Sequence, residues 1–154
     1  MSTEELVLSI EALGASINLV WVMLGAFLVF FMHTGFAMVE AGFTRSKNAV
    51  NILMKNFLTI SLGGIVYYLV GFAFMFGDTA GGIIGTSGFA LSGVENIDTF
   101  VFQVMFAATC ATIISGAVAE RTNIFAYLGI IIIMTPVIYP VAGPWVRAGS
   151  GGLS

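Results

Sequence analysis

The sequence predicts an all-α membrane protein with four transmembrane helices. Apolar residues make up 58% of the chain and charged residues only 8%, whereas soluble domains use about 45–50% and about 25%. Four apolar runs each reach the length of about 20 residues that a helix needs to cross a bilayer core of about 30 Å. The runs lack the alternation of membrane β-strands, and helices satisfy their own backbone hydrogen bonds in lipid.

The predicted spans, TM1 to TM4, cover residues 17–43, 57–76, 100–119 and 124–143. TM4 contains Pro136 and Pro140. Each proline removes a backbone donor, so we expect the outer third of TM4 to be kinked or partly unwound. The segment 77–98, between TM2 and TM3, is rich in glycine and serine and predicts an ordered outer loop.

The positions of the basic residues predict the orientation of the chain. Arg45, Lys47 and Lys55 fall between the predicted TM1 and TM2, and Arg121 falls between TM3 and TM4. By the positive-inside rule, both links are cytoplasmic. Arg147 is the only basic residue on the other side, where most of the acidic residues lie. We therefore expect an integral plasma or cytoplasmic membrane protein with both ends outside the cytoplasm.

Several classes of function are not supported by the composition. Cys110 is the only cysteine and lies in TM3, so we expect it to be a small buried apolar residue and not a disulfide partner. The sequence shows no nucleophile–base pair, no set of metal ligands and no basic patch interleaved with aromatic residues. We expect no enzymatic activity, no cofactor, no metal and no nucleic acid.

Two titratable groups lie inside the predicted TM1. Glu40 would cost about 3 kcal/mol or more if it faced lipid, so it should face protein. We expect a structural role for it at the TM1–TM2 corner, with helix-end N–H groups, Asn48 or Asn51 as partners. His33 lies on nearly the same face, and a neutral, hydrogen-bonded packing histidine is favoured over a proton relay.

TM3 combines a face of small residues with two aromatic rings. The small side chains recur every four residues and would let a neighbouring helix approach closely; they are Ala107, Ala111, Ser115 and Ala119, with Ala108, Thr112 and Gly116 beside them. Phe102 and Phe106 are one turn apart on one face. From spacing alone, simple packing is favoured for these rings. The alternative is an aromatic gate that narrows a pore and offers π-faces to a desolvating cation.

Two strings closely resemble the ammonium transporter family (Amt/Mep/Rh): FFMHTGFAMVEAGFTRSKNAVNILMKNF and FQVMFAATCATIISGAVAER. The resemblance covers the chain from TM1 onward. It implies passage of ammonium, ammonia or methylammonium through an aromatic gate that matches Phe102 and Phe106, beneath an outer aromatic vestibule. It also implies a homotrimer in the lipid bilayer.

The C-terminal segment departs from the family pattern, and the spans are few. Trp145 matches one vestibule tryptophan, but Pro144 stands where a histidine is expected and Arg147 where a second tryptophan is expected. The family has about eleven spans in two inverted repeats, so we interpret residues 1–154 as a partial transporter domain that needs the missing transmembrane half. Two alternatives are a non-transporting membrane scaffold or oligomerisation subunit, and a small channel that self-associates through the TM3 small-residue face.

Overall fold

The computed structural model describes residues 2–80, 84–94 and 97–147. Four long apolar helices dominate it, which confirms the all-α membrane fold. They are Thr3–Phe43, Ser46–Phe76, Ile97–Ala117 and Ile124–Gly143, and we keep the names TM1 to TM4 for them. We call the end with the TM2–TM3 connection the loop end. The opposite end, with Arg45 and Glu120, is the charged end.

TM1 begins at Thr3, well before residue 17, where the apolar run starts. Its first turn is closed by a capping box in which the Ser2 Oγ accepts from the Glu5 N–H and the Glu5 carboxylate accepts from the Ser2 N–H. The helix has 41 residues, so at 1.5 Å per residue it is about 60 Å long, roughly twice the thickness of a bilayer core. TM1 therefore extends beyond the lipid core.

TM2 starts earlier than predicted, and this corrects the position of Lys55. A 3₁₀ turn at Ser46–Asn48 leads into an α-helix at Ala49–Val66, a π-helical turn at Tyr67–Gly71 and a final α-helical turn at Phe72–Phe76. Lys55 lies inside this helix and is 6% exposed. The expectation that it belongs to the TM1–TM2 link is wrong, because its charge is accommodated within the bundle and does not need solvent.

TM4 contains the second π-helical turn, at Met134–Ile138, between α-helices at Ile124–Ile133 and Tyr139–Arg147. Pro136 lies within this turn, and the helix continues past Pro140. The prolines are thus accommodated by a widened turn in an unbroken helix. The π-turns of TM2 and TM4 meet closely, because a Cβ added at Gly71 would lie 3.1 Å from the Thr135 carbonyl oxygen.

The TM2–TM3 connection is ordered where the structure describes it. Strands Thr79–Ala80 and Ile84–Gly85 pair antiparallel, and a 3₁₀ turn follows at Phe89–Leu91. Ala90 and Leu91 both adopt left-handed backbone conformations, with φ of 51° and 60°. Such conformations cost non-glycine residues about 1–2 kcal/mol each. The packing of Leu91 against the core of the bundle offsets part of this cost.

The core has two parts. At the loop end, Tyr67, Phe72, Met75 and Ala107 form one buried cluster. Nearer the charged end, Ala111, Tyr127 and Ile131 form another. Most of the TM3 small-residue face is buried within the chain, including Ala107, Ala108, Ala111, Thr112 and Ser115. These residues are already covered by the other helices, so they are not available for the self-associated channel considered above.

Candidate functional site

Phe102 and Phe106 form a ring pair near the start of TM3. Their ring centroids are 5.0 Å apart, the ring planes are inclined by 55°, and both residues are partly exposed. Phe102 packs against TM1 at Gly25, where an added Cβ would lie 3.1 Å from the Phe102 Cε2. The glycine therefore leaves the notch in TM1 that this ring occupies, and TM1 and TM3 together fix the position of the pair.

Gln103 lies between Phe102 and Phe106 in sequence, but its side chain contacts TM4, whereas Phe102 contacts TM1. It is 3% exposed, and its Oε1 accepts a hydrogen bond of 2.8 Å from the hydroxyl of Tyr139 in TM4. Successive residues of TM3 thus contact TM1 and TM4 on different sides of the helix. Gln103 is therefore buried, whereas Phe102 and Phe106 stay partly exposed.

Glu40 lies at the centre of a buried polar cluster that joins three helices. Its Oε2 accepts from the Asn56 Nδ2 and its Oε1 accepts from the Ser115 Oγ, both at 2.8 Å. The Lys55 Nζ lies 4.0 Å from Oε1 and 4.5 Å from the ring centroid of Tyr127. Glu40 is only 7% exposed. The carboxylate therefore connects TM1, TM2 and TM3, with a buried cation beside it.

Sequence reasoning did not identify the partners of Glu40. Asn56 and Ser115 are 16 and 75 residues away in sequence, and Lys55 was assigned to a loop. One signal could have found Lys55: a buried carboxylate in a membrane span generally needs a cation or donors nearby.

His33 lies close to this cluster, because its Nε2 is 3.1 Å from the backbone carbonyl oxygen of Asn56 and 3.0 Å from the Thr112 hydroxyl. Its surroundings are buried and hydrogen-bonded, as expected for a packing histidine.

Asn48 contributes to a different contact, at the charged end. The Asn48 Nδ2 donates a hydrogen bond to the Glu120 Oε1 at 2.7 Å, and the backbone N–H of Arg45 donates to the same oxygen at 3.0 Å. The Arg45 guanidinium is 3.5 Å from the other carboxylate oxygen. These two hydrogen bonds lower the pKa of the Glu120 carboxyl, and the bond from Asn48 has the larger effect. Asn51 is exposed on TM2.

Trp145, the predicted vestibule residue, lies in the helical segment Tyr139–Arg147. Its side chain is outside the described part of the structure, as are those of Pro144 and Arg147. The vestibule role of Trp145 therefore stays a prediction.

The sequence model of the Ammonium Transporter Family matches residues 20–153. The chain belongs to the ammonium transporter family. It is 44% identical over 137 residues to the ammonium transporter Amt2 of Archaeoglobus fulgidus, covering 86% of this chain and 29% of the relative. It is 43% identical over 143 residues to ammonium transporter 1 member 3 of Solanum lycopersicum, covering 90% of this chain and 31% of the relative.

A solved structure, titled Sensor Amt Protein, has the same fold as this ammonium transporter family member. The TM-score is 0.87 at 35% identity, with 90% of this chain and 36% of the other covered. The chain thus spans about a third of the length of the proteins it matches. The family resemblance predicted from the sequence is confirmed.

Proposed function

We propose that this chain takes part in the passage of ammonium across a membrane, and that Phe102 and Phe106 line the narrowest part of the path. The observation that supports this most directly is the ring pair itself, with centroids 5.0 Å apart, on TM3 of a member of the ammonium transporter family. The substrates would be ammonium or ammonia, and methylammonium as an analogue.

The chemistry of such a ring pair suits a small cation that must lose water. An aromatic face attracts a cation by about 0.5–2 kcal/mol, with the larger values where water is excluded. Two adjoining rings also make a hydrophobic constriction, which dewets easily. Phe102 is held by TM1 at Gly25, so the position of its ring is set by helix packing. A fixed constriction of this kind favours partly dehydrated ammonium over fully hydrated ions.

The proposed setting is a plasma or cytoplasmic membrane, with the N-terminus outside the cytoplasm and with homotrimers as the assembly. Arg45, Lys47 and Arg121 flank the charged end, and the positive-inside rule favours the cytoplasm for that end. Because the chain spans about a third of its relatives' length, we propose that further transmembrane helices act with these four to enclose the path.

Uptake of methylammonium tests this proposal. The chain is expressed in cells without their own ammonium transporters, alone and beside a fragment that carries the further spans of a relative. We expect uptake only with the added spans. Uptake by the chain alone would show that the further spans are not needed.

The ring pair is tested in the conducting combination. Replacing both Phe102 and Phe106 by alanine should change the rate of uptake or its selectivity over K⁺, because the constriction is lost. Phe125→Ala is the matched control, since that ring is 77% exposed on TM4. Equal behaviour of the double variant and this control would rule out the gate.

A second candidate is a membrane scaffold or oligomerisation subunit that does not transport. The sequence feature that favours it is Arg147 at a position where the family resemblance leads us to expect a vestibule tryptophan. A cation there would oppose ammonium by about 1–4 kcal/mol at a separation near 4 Å, depending on screening. This candidate predicts correct membrane insertion with no uptake beside any partner fragment. It also predicts that Arg147→Trp restores uptake.

A further inference from the structure

A cavity of about 540 Å³ opens at the loop end, between the end of TM2, the connection after it and the start of TM3. Its walls combine aromatic rings, a carboxylate and hydroxyl groups, from Phe72, Phe76, Asp78, Ser87, Ser92 and Thr99. Neither Phe102 nor Phe106 is among the residues that line this cavity, and Phe102 packs against TM1 at Gly25.

Two aromatic rings form one wall of the cavity: the ring of Phe72 is buried in the core, and the ring of Phe76 is exposed. The rings of Phe72 and Phe76 are 4.9 Å apart between centroids. Phe72 is 3% exposed and meets the Phe100 ring edge-on at 5.6 Å, so it is held by the core. Phe76 is 47% exposed. A small cation can therefore reach an aromatic surface that needs no rearrangement to receive it.

Asp78 provides a negative charge whose position is fixed by its neighbours. Its Oδ2 accepts a hydrogen bond of 2.9 Å from the Ser87 Oγ, and its N–H donates to the same Oγ at 2.8 Å. Its carbonyl oxygen accepts from the Thr86 N–H at 2.9 Å. The ion pairs within the described residues are Arg45–Glu120 and Lys55–Glu40, so Asp78 is not in an ion pair there. In this part of the chain, no lysine or arginine therefore competes with a ligand for the Asp78 carboxylate.

The loop that closes the cavity holds a strained backbone. Ala90 and Leu91 are consecutive non-glycine residues with positive φ, between Gly88 and Gly93, which also have positive φ. Leu91 and Val94 pack against the core cluster at the loop end and hold this conformation. Strained residues of this kind cluster at segments that clamp ligands. The position of the loop is therefore set by the packing of Leu91 and Val94 against the core.

We propose that this cavity binds a small ammonium cation, NH₄⁺ or methylammonium. Asp78 balances the charge, the exposed Phe76 ring, held against Phe72, provides a cation–π contact, and the hydroxyls of Ser87 and Ser92 accept N–H donors. The choice of ligand class rests on the proposed function. In the proposed orientation the cavity lies outside the cytoplasm, where it would hold substrate at the loop end of the bundle.

Binding is measured by NMR titration of ¹³C-methylammonium against the full chain in nanodiscs of zwitterionic lipid at low ionic strength. Asp78→Asn removes the charge but keeps an oxygen acceptor for Ser87, so the loop should stay folded. We expect its Kd to rise about tenfold, which corresponds to about 1.4 kcal/mol. Phe76→Leu keeps an apolar side chain without the π-face and should raise the Kd about threefold.

Glu11→Gln is the matched control, because it makes the same change of charge at an exposed acid on TM1. Circular dichroism verifies that all variants remain helical. A weaker Kd in both cavity variants with an unchanged control supports the site. An unchanged Kd in Asp78→Asn, or an equal loss in Glu11→Gln, refutes it. A chain that binds through Asp78 but takes up nothing even beside the added spans would refute the transport proposal alone, and uptake with binding independent of Asp78 would refute only this site.

Discussion

The buried pair of Glu40 and Lys55 gives the sharpest test of the packing in this bundle. The Lys55 Nζ lies 4.0 Å from the Glu40 Oε1, and the two residues are 6% and 7% exposed. Two unit charges at that distance attract by about 4 kcal/mol at an effective dielectric constant of 20. Removal of one partner from a buried pair typically costs about 3–5 kcal/mol, because the other charge is left uncompensated.

We expect Glu40→Gln to lower the free energy of unfolding by about 3 kcal/mol. Lys55→Met should lower it by about 2 kcal/mol, since the carboxylate still accepts from Asn56 and Ser115. The double variant leaves no unpaired charge, so it should be less destabilised than the sum of the two single variants, by about 2 kcal/mol.

The assay is reversible unfolding by sodium dodecyl sulfate in mixed micelles, followed by far-ultraviolet circular dichroism. Glu11→Gln is the control for the loss of a carboxylate at an exposed position and should change the free energy of unfolding by less than about 0.5 kcal/mol. If the two single changes add within about 0.5 kcal/mol in the double variant, the charges do not interact and the reasoning is wrong.

Two further predictions concern TM1 and the charged end. Gly25→Ala should lower the unfolding free energy by about 1–2 kcal/mol and displace Phe102, because the added Cβ would lie 3.1 Å from that ring; Gly14→Ala, with open space around it, is the control in the same unfolding assay. Folding lowers the pKa of the Glu120 carboxyl. The ionised carboxylate therefore stabilises the fold fully above the pKa that Glu120 has in the unfolded chain, and this stabilisation is lost as pH falls through its pKa in the folded chain. The protection of the amides of residues 44–48 against hydrogen exchange, measured relative to the intrinsic rate at each pH, should therefore fall at acid pH. Glu120→Gln cannot ionise but still offers Asn48 an oxygen acceptor, so it should remove this pH dependence.

The number and approximate place of the spans followed from local properties of the sequence. In a bilayer, an apolar run of sufficient length has no alternative to a helix, so composition and run length were enough. The strings around Glu40 and Phe102 were enough to predict the family, because their pattern is much more specific than hydropathy. The spacing of Phe102 and Phe106 likewise placed both rings on one face without knowledge of the fold.

Contacts between helices could not be predicted in the same way. Pro136 predicted a disturbance in TM4, but the matching π-turn at Tyr67–Gly71 in TM2 had no proline to reveal it. Lys55 was predicted to lie in the TM1–TM2 link, yet it contacts a carboxylate and a tyrosine ring from other helices. Such partners depend on the rotation and depth of each helix relative to its neighbours.

The sequence by itself determined that this chain forms four membrane helices of the ammonium transporter family, since lipid leaves the backbone of a long apolar run only one way to satisfy its hydrogen bonds. Only the tertiary structure decided that Glu40 meets Asn56 and Ser115, that Phe102 enters the notch at Gly25, and that Phe76 and Asp78 share a cavity. These pairings depend on how side chains interlock across helices, and the register of that packing is a property of the whole bundle.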